Sequence, residues 1–297
     1  MRDETLSVPV SFQRSEAEER SERFDARILL AEDNRVNQRV AQGMLEYFGC
    51  QVDIASDGQE AMEALSRNSY DLILMDCQMP RIDGYQVAQA LRSMEASDQG
   101  NHSHIPIIAL TAEASEESRQ QCIAAGMDDY LAKPFTREEL RGILRAWLHR
   151  KGSERQEERS PSQQGESLHS ASGVDGVDRR TLESIRALQR EGESDLLSRV
   201  IEAYFGEADR LFQILREAVK KGDGEALRKA AHSLKASSAN VGAWKLSTLC
   251  KELEIIGWEK SIEKAASLLS EAVVEYEVVQ KALHAEMKRR DGGKRAS

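Results

Sequence analysis

Short apolar runs alternate with helical patterns over the first half of the chain. The runs are RILLA from position 27, QVDIA from 51, DLILM from 71, IPIIAL from 105 and DDYLA from 128. After the first run, Val36 and Val40 begin a helical repeat that stops at Gly49, and after the last run Thr136 and Glu139 have capping-box spacing. Five strand–helix units with nearly continuous apolar strands predict a doubly wound α/β fold, in which helices cover both faces of a five-stranded parallel sheet.

The composition changes after position 149. Residues 150–177 are polar and rich in Ser, Gly and Gln, which predicts a flexible linker with a root-mean-square span of about 30 Å. From Asp178 onward the apolar residues follow helical spacing, with glycines at 192, 222, 242 and 257 as helix breakers. Four or five such helices predict an all-α antiparallel bundle. The expected organisation is a disordered arm (1–25), the α/β domain (26–149), the linker (150–177), the bundle (178–288) and a tail (289–297).

Size and charge narrow the class of protein. The 297 residues suffice for two domains, and the formal net charge of −10 argues against a nucleic-acid partner. The N-terminal segment has no apolar core, and no window approaches the roughly 18 consecutive apolar residues of a membrane span. The four cysteines form no CxxC pair, which is typical of a reducing compartment. We therefore expect a cytoplasmic protein.

Polar side chains follow four of the five predicted strands. Glu32 and Asp33 follow the first strand, Asp76 the third, Thr111 the fourth and Lys133 the fifth. A single Asp after a strand is usually only a helix cap or a turn residue. The carboxyl ends of parallel strands, however, meet at one edge of a sheet, where ligands bind. Three crowded carboxylates repel one another unless a cation lies among them, and such hard oxygen ligands suit Mg²⁺.

Four motifs make this pattern specific. LLAEDNRVNQ, LILMDCQMPRIDGYQVA, IIALTA and DDYLAKP occur in this order, and with them residues 26–149 resemble a response-regulator receiver domain, which has a flavodoxin-like fold. The resemblance implies that Asp76 is the phospho-acceptor. It also implies that Mg²⁺ is held by Glu32, Asp33, Asp76 and the backbone carbonyl of Gln78.

The same resemblance assigns further roles. It implies that Lys133 pairs with the phosphoryl group and that Thr111 and Tyr130 form a switch. Asp76 has to stay ionised to act as a nucleophile, and Mg²⁺ with Lys133 makes this possible beside two other acids. The VNQ sequence after the acidic pair is frequent in receivers attached to hybrid sensor kinases.

A histidine in the second half lies on a helix whose faces can be assigned. At about 100° per residue, the segment EALRKAAHSLKASSANVGA has a predicted inward stripe and places His232 about 200° from Leu234, facing water. The inward stripe consists of Leu227, Ala230, Ala231 and Leu234. The neighbours of His232 on the outer face are Arg228, Lys229, Lys235, Ala236 and Ala239. Nearby cations favour the neutral imidazole, and the lack of a Cys or acid at ligand spacing argues against a metal site.

Residues 178–288 resemble a histidine phosphotransfer (HPt) domain, with AHSLKASSANVGA as the signature. The resemblance implies that His232 is phosphorylated, that Lys235 is its electrostatic partner and that Gly242 closes the motif. Ala236 stands where that family usually has glycine. We expect its methyl group to crowd a partner receiver and to slow phosphoryl transfer.

Together the two resemblances imply a two-component phosphorelay protein. An upstream histidine kinase would phosphorylate Asp76, the group would pass to or from His232, and a downstream response regulator would take it. Alternatives are a phosphate sink and a phosphorylation-independent adaptor. An aspartyl phosphatase is disfavoured, because Gln78 stands where that class needs a second acid. No ATP-binding kinase module is visible in the sequence, which leaves open a stand-alone relay protein or the C-terminal part of a hybrid sensor kinase.

Overall fold

The computed structural model describes residues 22–97, 104–112, 115–148, 176–190, 192, 195–259 and 262–294. The predicted N-terminal arm and the predicted linker lie almost entirely outside these residues. Among the residues that the structure does describe, no helix combines the length and the apolar composition that a membrane crossing requires.

The first domain is the predicted parallel sheet, with strand order β2-β1-β3-β4-β5. Its strands are β1 (Arg27–Ala31), β2 (Gln51–Ala55), β3 (Leu72–Asp76), β4 (Ile107–Thr111) and β5 (Asp129–Ala132). Its helices are α1 (Arg35–Tyr47), α2 (Gly58–Arg67), α3 (Gly84–Ser97), α4 (Glu116–Ala124) and α5 (Arg137–Leu148). Helices α1 and α5 pack on one face of the sheet, whereas α2, α3 and α4 pack on the other. The doubly wound prediction is confirmed.

Local signals in the sequence explain where these helices begin and end. The side chain of Asn34 caps α1 by accepting hydrogen bonds from the backbone N–H groups of Val36 and Asn37. Beyond α1, Gly49 has a φ of +84°, as expected for a C′ glycine. The predicted capping box also forms, since the Thr136 N–H donates to Glu139 Oε2 (2.7 Å) and the Glu139 N–H donates to Thr136 Oγ1 (3.2 Å).

The second domain is a bundle of α-helices. They are α6 (Arg179–Ala187), α7 (Leu196–Lys221), α8 (Gly224–Asn240), α9 (Trp244–Glu259) and α10 (Ala265–Lys294). Helix α8 packs between α7 and α9, and α10 packs against both α9 and α7, which closes the bundle. Short connections between long helices make neighbours antiparallel. The helical-bundle prediction is confirmed.

One predicted helix breaker is wrong. Gly257 lies inside α9, whereas Gly222 (φ +71°) and Gly242 (φ +75°) do stand at helix ends. A Cβ atom at position 257 would lie 2.8 Å from the Gly224 carbonyl oxygen and 2.8 Å from the Arg228 backbone nitrogen. The physical reason for this glycine is therefore the close approach of α9 to the start of α8.

The two domains pack against each other through α1, which lies on α7 and α8. Gly43 lies in this contact, where an added Cβ atom would lie 2.8 Å from Leu196 Cδ2. The apolar core under α1 and α5 is continuous with the core of the bundle. This docking places the edge of the sheet that carries the predicted acids against α8.

Candidate functional site

Three carboxylates meet at the carboxyl edge of the sheet. Asp76 ends β3, and Glu32 and Asp33 follow β1 directly. One oxygen from each of the three lies within 4.8 Å of the other two. Glu32 and Asp76 are buried, whereas Asp33 is exposed. Oxygen ligands at this spacing, open to solvent on one side, fit a Mg²⁺ ion that keeps some of its waters.

Lys133 joins this cluster from the end of β5. Its Nζ lies 2.9 Å from Glu32 Oε2 and 2.8 Å from Asp76 Oδ2, and its side chain is 6% exposed. Burial alone would lower the pKa of this ammonium group, but the carboxylates of Asp76 and Glu32 outweigh burial and hold the pKa above its usual range. Lys133 is therefore a fixed cation beside the two buried acids.

The protein alone does not balance the negative charge of the cluster. Loss of solvation, together with the neighbouring Asp76, raises the pKa of Glu32 to about 8 and that of Asp33 to about 6. Lys133 opposes this effect at both acids. A divalent cation would favour the ionised carboxylates that it binds, so this donor set fits Mg²⁺ on chemical grounds.

The predicted switch residues lie on neighbouring strands. Thr111 ends β4, is 8% exposed, and its carbonyl accepts a hydrogen bond of 2.6 Å from the Lys133 N–H. Tyr130 on β5 pairs in register with Ala109, two residues before Thr111, so both side chains lie on the same face of the sheet. Gln78 lines the cavity above Asp76, and its N–H donates to Asp76 Oδ1 (3.1 Å). Coordination by its carbonyl stays a prediction.

His232 has a partner that the sequence did not reveal. Its Nδ1 lies 2.6 Å from Glu254 Oε1, and Lys235 Nζ lies 2.6 Å from Glu254 Oε2. Burial opposes ionisation of Glu254, but the hydrogen bonds and charges of His232 and Lys235 outweigh it and lower the pKa of this carboxyl to about 2. Glu254 belongs to α9, 22 residues further on, so periodicity within α8 gave no signal for it.

The expected solvent-facing position of His232 is wrong in the docked molecule. Its side chain is 14% exposed, and Ala236 and Ala239 are 7% and 4% exposed. The predicted inward stripe is correct, since Leu227, Ala230, Ala231 and Leu234 are all buried. The outer face is covered because the α/β domain packs onto it, and the helical pattern of the bundle alone does not reveal this second domain.

The two predicted sites share one cavity of about 430 Å³. Asp76 and Lys133 line it from the sheet, and His232, Ser233 and Ala236 line it from α8. The structure therefore brings the acidic cluster and the histidine of the bundle together, although they are far apart in sequence.

Hydrogen bonds between the two domains hold this arrangement. Asn34 Nδ2 donates to Ser233 Oγ (2.8 Å) and to Ser237 Oγ (3.0 Å). Asn240 Nδ2 donates to Asn37 Oδ1 (2.8 Å). Asn34 and Asn37 both belong to the segment of the first domain that contains VNQ. This motif therefore forms part of the surface that contacts the bundle.

Comparisons with known proteins agree with these observations. Residues 28–145 match the response regulator receiver domain family, and residues 199–290 match the Hpt domain family. The sensor protein GacS of Pseudomonas syringae pv. syringae is 30% identical over 253 residues, which cover 84% of this chain and 27% of that protein. Hybrid signal transduction histidine kinase B of Dictyostelium discoideum is 43% identical over 115 residues, which cover 37% of this chain and 6% of that protein.

A solved receiver domain is also similar. The receiver domain of sensor histidine kinase PA1611 from Pseudomonas aeruginosa PAO1, crystallised with a magnesium ion in its active site cleft, is 45% identical, and the match covers 42% of this chain and 99% of that domain with a TM-score of 0.38. The match to this chain spans about a quarter of the length of GacS and a much smaller part of histidine kinase B. This chain nevertheless contains both matched domains in order. The chain therefore joins a response regulator receiver domain to an Hpt domain, and this pair of domains places it in two-component phosphorelay signalling.

Proposed function

We propose that Asp76 and His232 exchange a phosphoryl group within this chain, as one step of a relay. The observation that carries this proposal is the single cavity lined by both residues. A cavity of this size accommodates a phosphoryl group and a hydrated cation, and neighbouring cations are already in place. The contacts of Asn34 and Asn240 across the two domains support the same arrangement.

The chemistry is two successive displacements at phosphorus. A carboxylate oxygen of Asp76 attacks the phosphorus of a phosphohistidine on an upstream kinase, so that an O–P bond forms and the N–P bond breaks. His232 Nε2 then attacks the same phosphorus, so that an N–P bond forms and the O–P bond to Asp76 breaks. Such transfers depend mostly on positioning and on neutralisation of charge.

Glu254 prepares His232 for this role. A carboxylate only accepts hydrogen bonds, so the short contact with Nδ1 requires that Nδ1 carries the proton. The lone pair is then on Nε2, which is the nitrogen free to attack. The carboxylate also stabilises the positive charge that develops on the ring as the N–P bond forms. Lys235 is held on the other oxygen of Glu254 and would act as the electrostatic partner of the phosphorylated ring.

On the receiver side, Glu32, Asp33 and Asp76 with the Gln78 carbonyl would hold Mg²⁺. When bound, the ion would neutralise charge on the carboxylates and on the phosphoryl oxygens. Lys133 pairs with Asp76 (2.8 Å) and is in place to take a phosphoryl oxygen once the group has been transferred. Thr111 and Tyr130 would respond to the new charge on Asp76 as the switch pair.

The proposed partners are an upstream histidine kinase and a downstream receiver. In the docked arrangement the face of α8 around His232 is covered. A separate receiver that takes the phosphoryl group from His232 must first displace the receiver domain of this chain. Docking therefore orders the two transfers, with the internal step completed before the external one.

Incubation of the full chain with acetyl phosphate and Mg²⁺ tests the relay. We expect a base-labile adduct on Asp76 and an acid-labile adduct on His232, mapped by mass spectrometry. Asp76→Asn should remove both labels, because His232 receives its group from Asp76. Asp83→Asn, at another acid lining the cavity, is the matched control and should keep both. Labelling of His232 in the Asp76→Asn chain would contradict the relay.

The direction of net flow distinguishes the relay from a phosphate sink. Chains carrying label only on His232 should pass it to an added receiver in a relay. In a sink the label would move to Asp76 and appear as inorganic phosphate. An adaptor that works without phosphorylation would show neither adduct.

Ala236 gives a further prediction about rate. Its methyl group lies in the cavity between the two sites, and we expect Ala236→Gly to speed transfer from Asp76 to His232. The increase should be modest, about twofold to fivefold, because a glycine in α8 also destabilises the helix by about 1 kcal/mol. This destabilisation offsets part of the gain from removing the methyl group. Single-turnover kinetics measure it, and an unchanged rate would reject the crowding argument.

A further inference from the structure

Asn37 connects the bundle to the acidic cluster. Its Nδ2 donates to Glu32 Oε1 (2.9 Å), and its Oδ1 accepts from Asn240 Nδ2 (2.8 Å) of α8. Asn37 is 6% exposed and Glu32 is 1% exposed, so water does not readily replace either partner. Two hydrogen bonds in series thus run from the second domain to a carboxylate of the predicted metal site.

The order of these bonds fixes the orientation of the Asn37 amide. A carboxylate accepts hydrogen bonds but donates none, so it must face the NH₂ end of an amide. Asn240, in turn, presents a donor to the oxygen end. When the bundle is docked, both contacts select the same rotamer. When the bundle leaves, the oxygen end loses its protein partner, so Glu32 alone holds the amide and the Asn37 side chain gains conformational freedom.

We propose that Asn37 is a positioning residue that couples docking of the bundle to Mg²⁺ binding at Glu32. Docking holds the NH₂ group on Glu32 and keeps the other carboxylate oxygen, with Lys133, directed into the cluster. Linkage requires the reverse effect as well, so that Mg²⁺ favours the docked state. This inference rests on the proposed function, because the coupling would bring His232 to the receiver domain when Mg²⁺ is bound.

The proposed coupling gives a role to the VNQ motif, to which the phosphotransfer roles assign none. Asn37 is the asparagine of VNQ, and Asn34 precedes it by one helical turn. The Asn34 side chain caps α1 and reaches Ser233 and Ser237, whereas only Asn37 bridges to Glu32 through its side chain. The two amides thus have separate tasks: Asn34 holds the domains together and Asn37 reports their docking to the metal site.

A Mg²⁺ titration of the full chain, followed by NMR at the backbone amides of residues 76–78, tests the coupling without any phosphotransfer. We expect Asn240→Ala to weaken Mg²⁺ binding by about threefold to fivefold, typical of a modest coupling between sites. Asn37→Ala should weaken it at least as much. The double variant should resemble Asn37→Ala alone, because the signal from Asn240 passes through Asn37. Thr248→Ala, at an exposed position of α9, is the control and should bind Mg²⁺ like the unaltered chain.

Two outcomes would overturn the proposal: unchanged Mg²⁺ affinity in Asn240→Ala, or losses that simply add in the double variant. Circular dichroism checks the helicity of each variant, and Asn240→Ser repeats the measurement if the alanine variant loses structure. A failed relay leaves a different signature, since the adduct on His232 would be missing while Mg²⁺ binding still depended on Asn240.

Discussion

At the scale of single residues, the site separates into a part that the sequence predicts and a part that it does not. Glu32, Asp76 and Lys133 were predictable because parallel strands deliver their last residues to one edge, and their contacts of 2.8–2.9 Å confirm that convergence. Glu254 was not predictable, because its contact with His232 depends on how α9 packs on α8. A spacing of 22 residues has no signature in helical periodicity.

Glu254 also makes a prediction about pH. Its folded pKa of about 2 lies below the ordinary value of 4.5, so the ionised carboxylate stabilises the fold above pH 4.5, and this stabilisation is lost as the pH falls toward 2. We expect Glu254→Gln to lower the free energy of unfolding by about 1–2 kcal/mol at pH 6. The difference between the two proteins should shrink as the pH falls from 4.5 to 2 and should nearly vanish only below pH 2. Urea denaturation at several pH values measures it, and a constant difference would show that Glu254 acts through packing.

At the scale of elements, the bounds of helices and strands followed local chemistry closely. Alternating apolar runs, the Asn34 cap and the capping box at Thr136 each act within a few residues, and all of them appear in the structure. Gly257 shows where this reasoning fails. When only its own helix is considered, a glycine predicts a helix end. Here the missing side chain instead allows the backbone of a neighbouring helix to pack closely.

The role of Gly257 predicts opposite effects for two glycine substitutions. Gly257→Ala should lower the free energy of unfolding by about 1–3 kcal/mol, because the new methyl group meets backbone atoms at 2.8 Å. Gly206→Ala is the matched control: Gly206 lies within α7 and no atom stands within 4 Å of the added Cβ. That change should raise stability by up to about 1 kcal/mol. Thermal melts of both variants measure these changes in stability, and equal effects would contradict the close approach of α8 and α9.

At the scale of the whole molecule, the domain interface accounts for the main difference between sequence and structure. Ala236 and Ala239 were expected to lie open on the outer face of α8, but both are buried. Each domain folds according to its own pattern, and the pattern contains no information about which outer surfaces meet. The contacts of Asn34 and Asn240 with the opposite domain depend on how the two domains dock, which neither pattern specifies.

The interface predicts the effect of a wedge at Gly43. Gly43→Gln places a long side chain against Leu196, where even a Cβ atom would lie 2.8 Å from the leucine. We expect the domains to separate while each stays folded, so the radius of gyration measured by small-angle X-ray scattering should rise. Transfer from Asp76 to His232 should slow by about tenfold or more, as the reacting groups lose their shared cavity.

Gly142→Gln supplies the control for the wedge. It is also a helical glycine of the receiver domain, in α5, but no atom lies within 4 Å of an added Cβ. It should leave both the radius of gyration and the transfer rate as they are. A compact Gly43→Gln chain with undiminished transfer would show that α1 does not determine the arrangement of the domains.

The cavity shared by Asp76 and His232 has a kinetic consequence. In the proposed relay the phosphoryl group crosses this cavity within one molecule, so the rate of the internal transfer should not change when the protein is diluted. Delivery to another molecule, by contrast, depends on collision and on how often the cavity opens. Within a cell, the concentration of the recipient protein would therefore govern how quickly the phosphoryl group leaves this chain. The rate of the transfer inside the chain would not depend on that concentration.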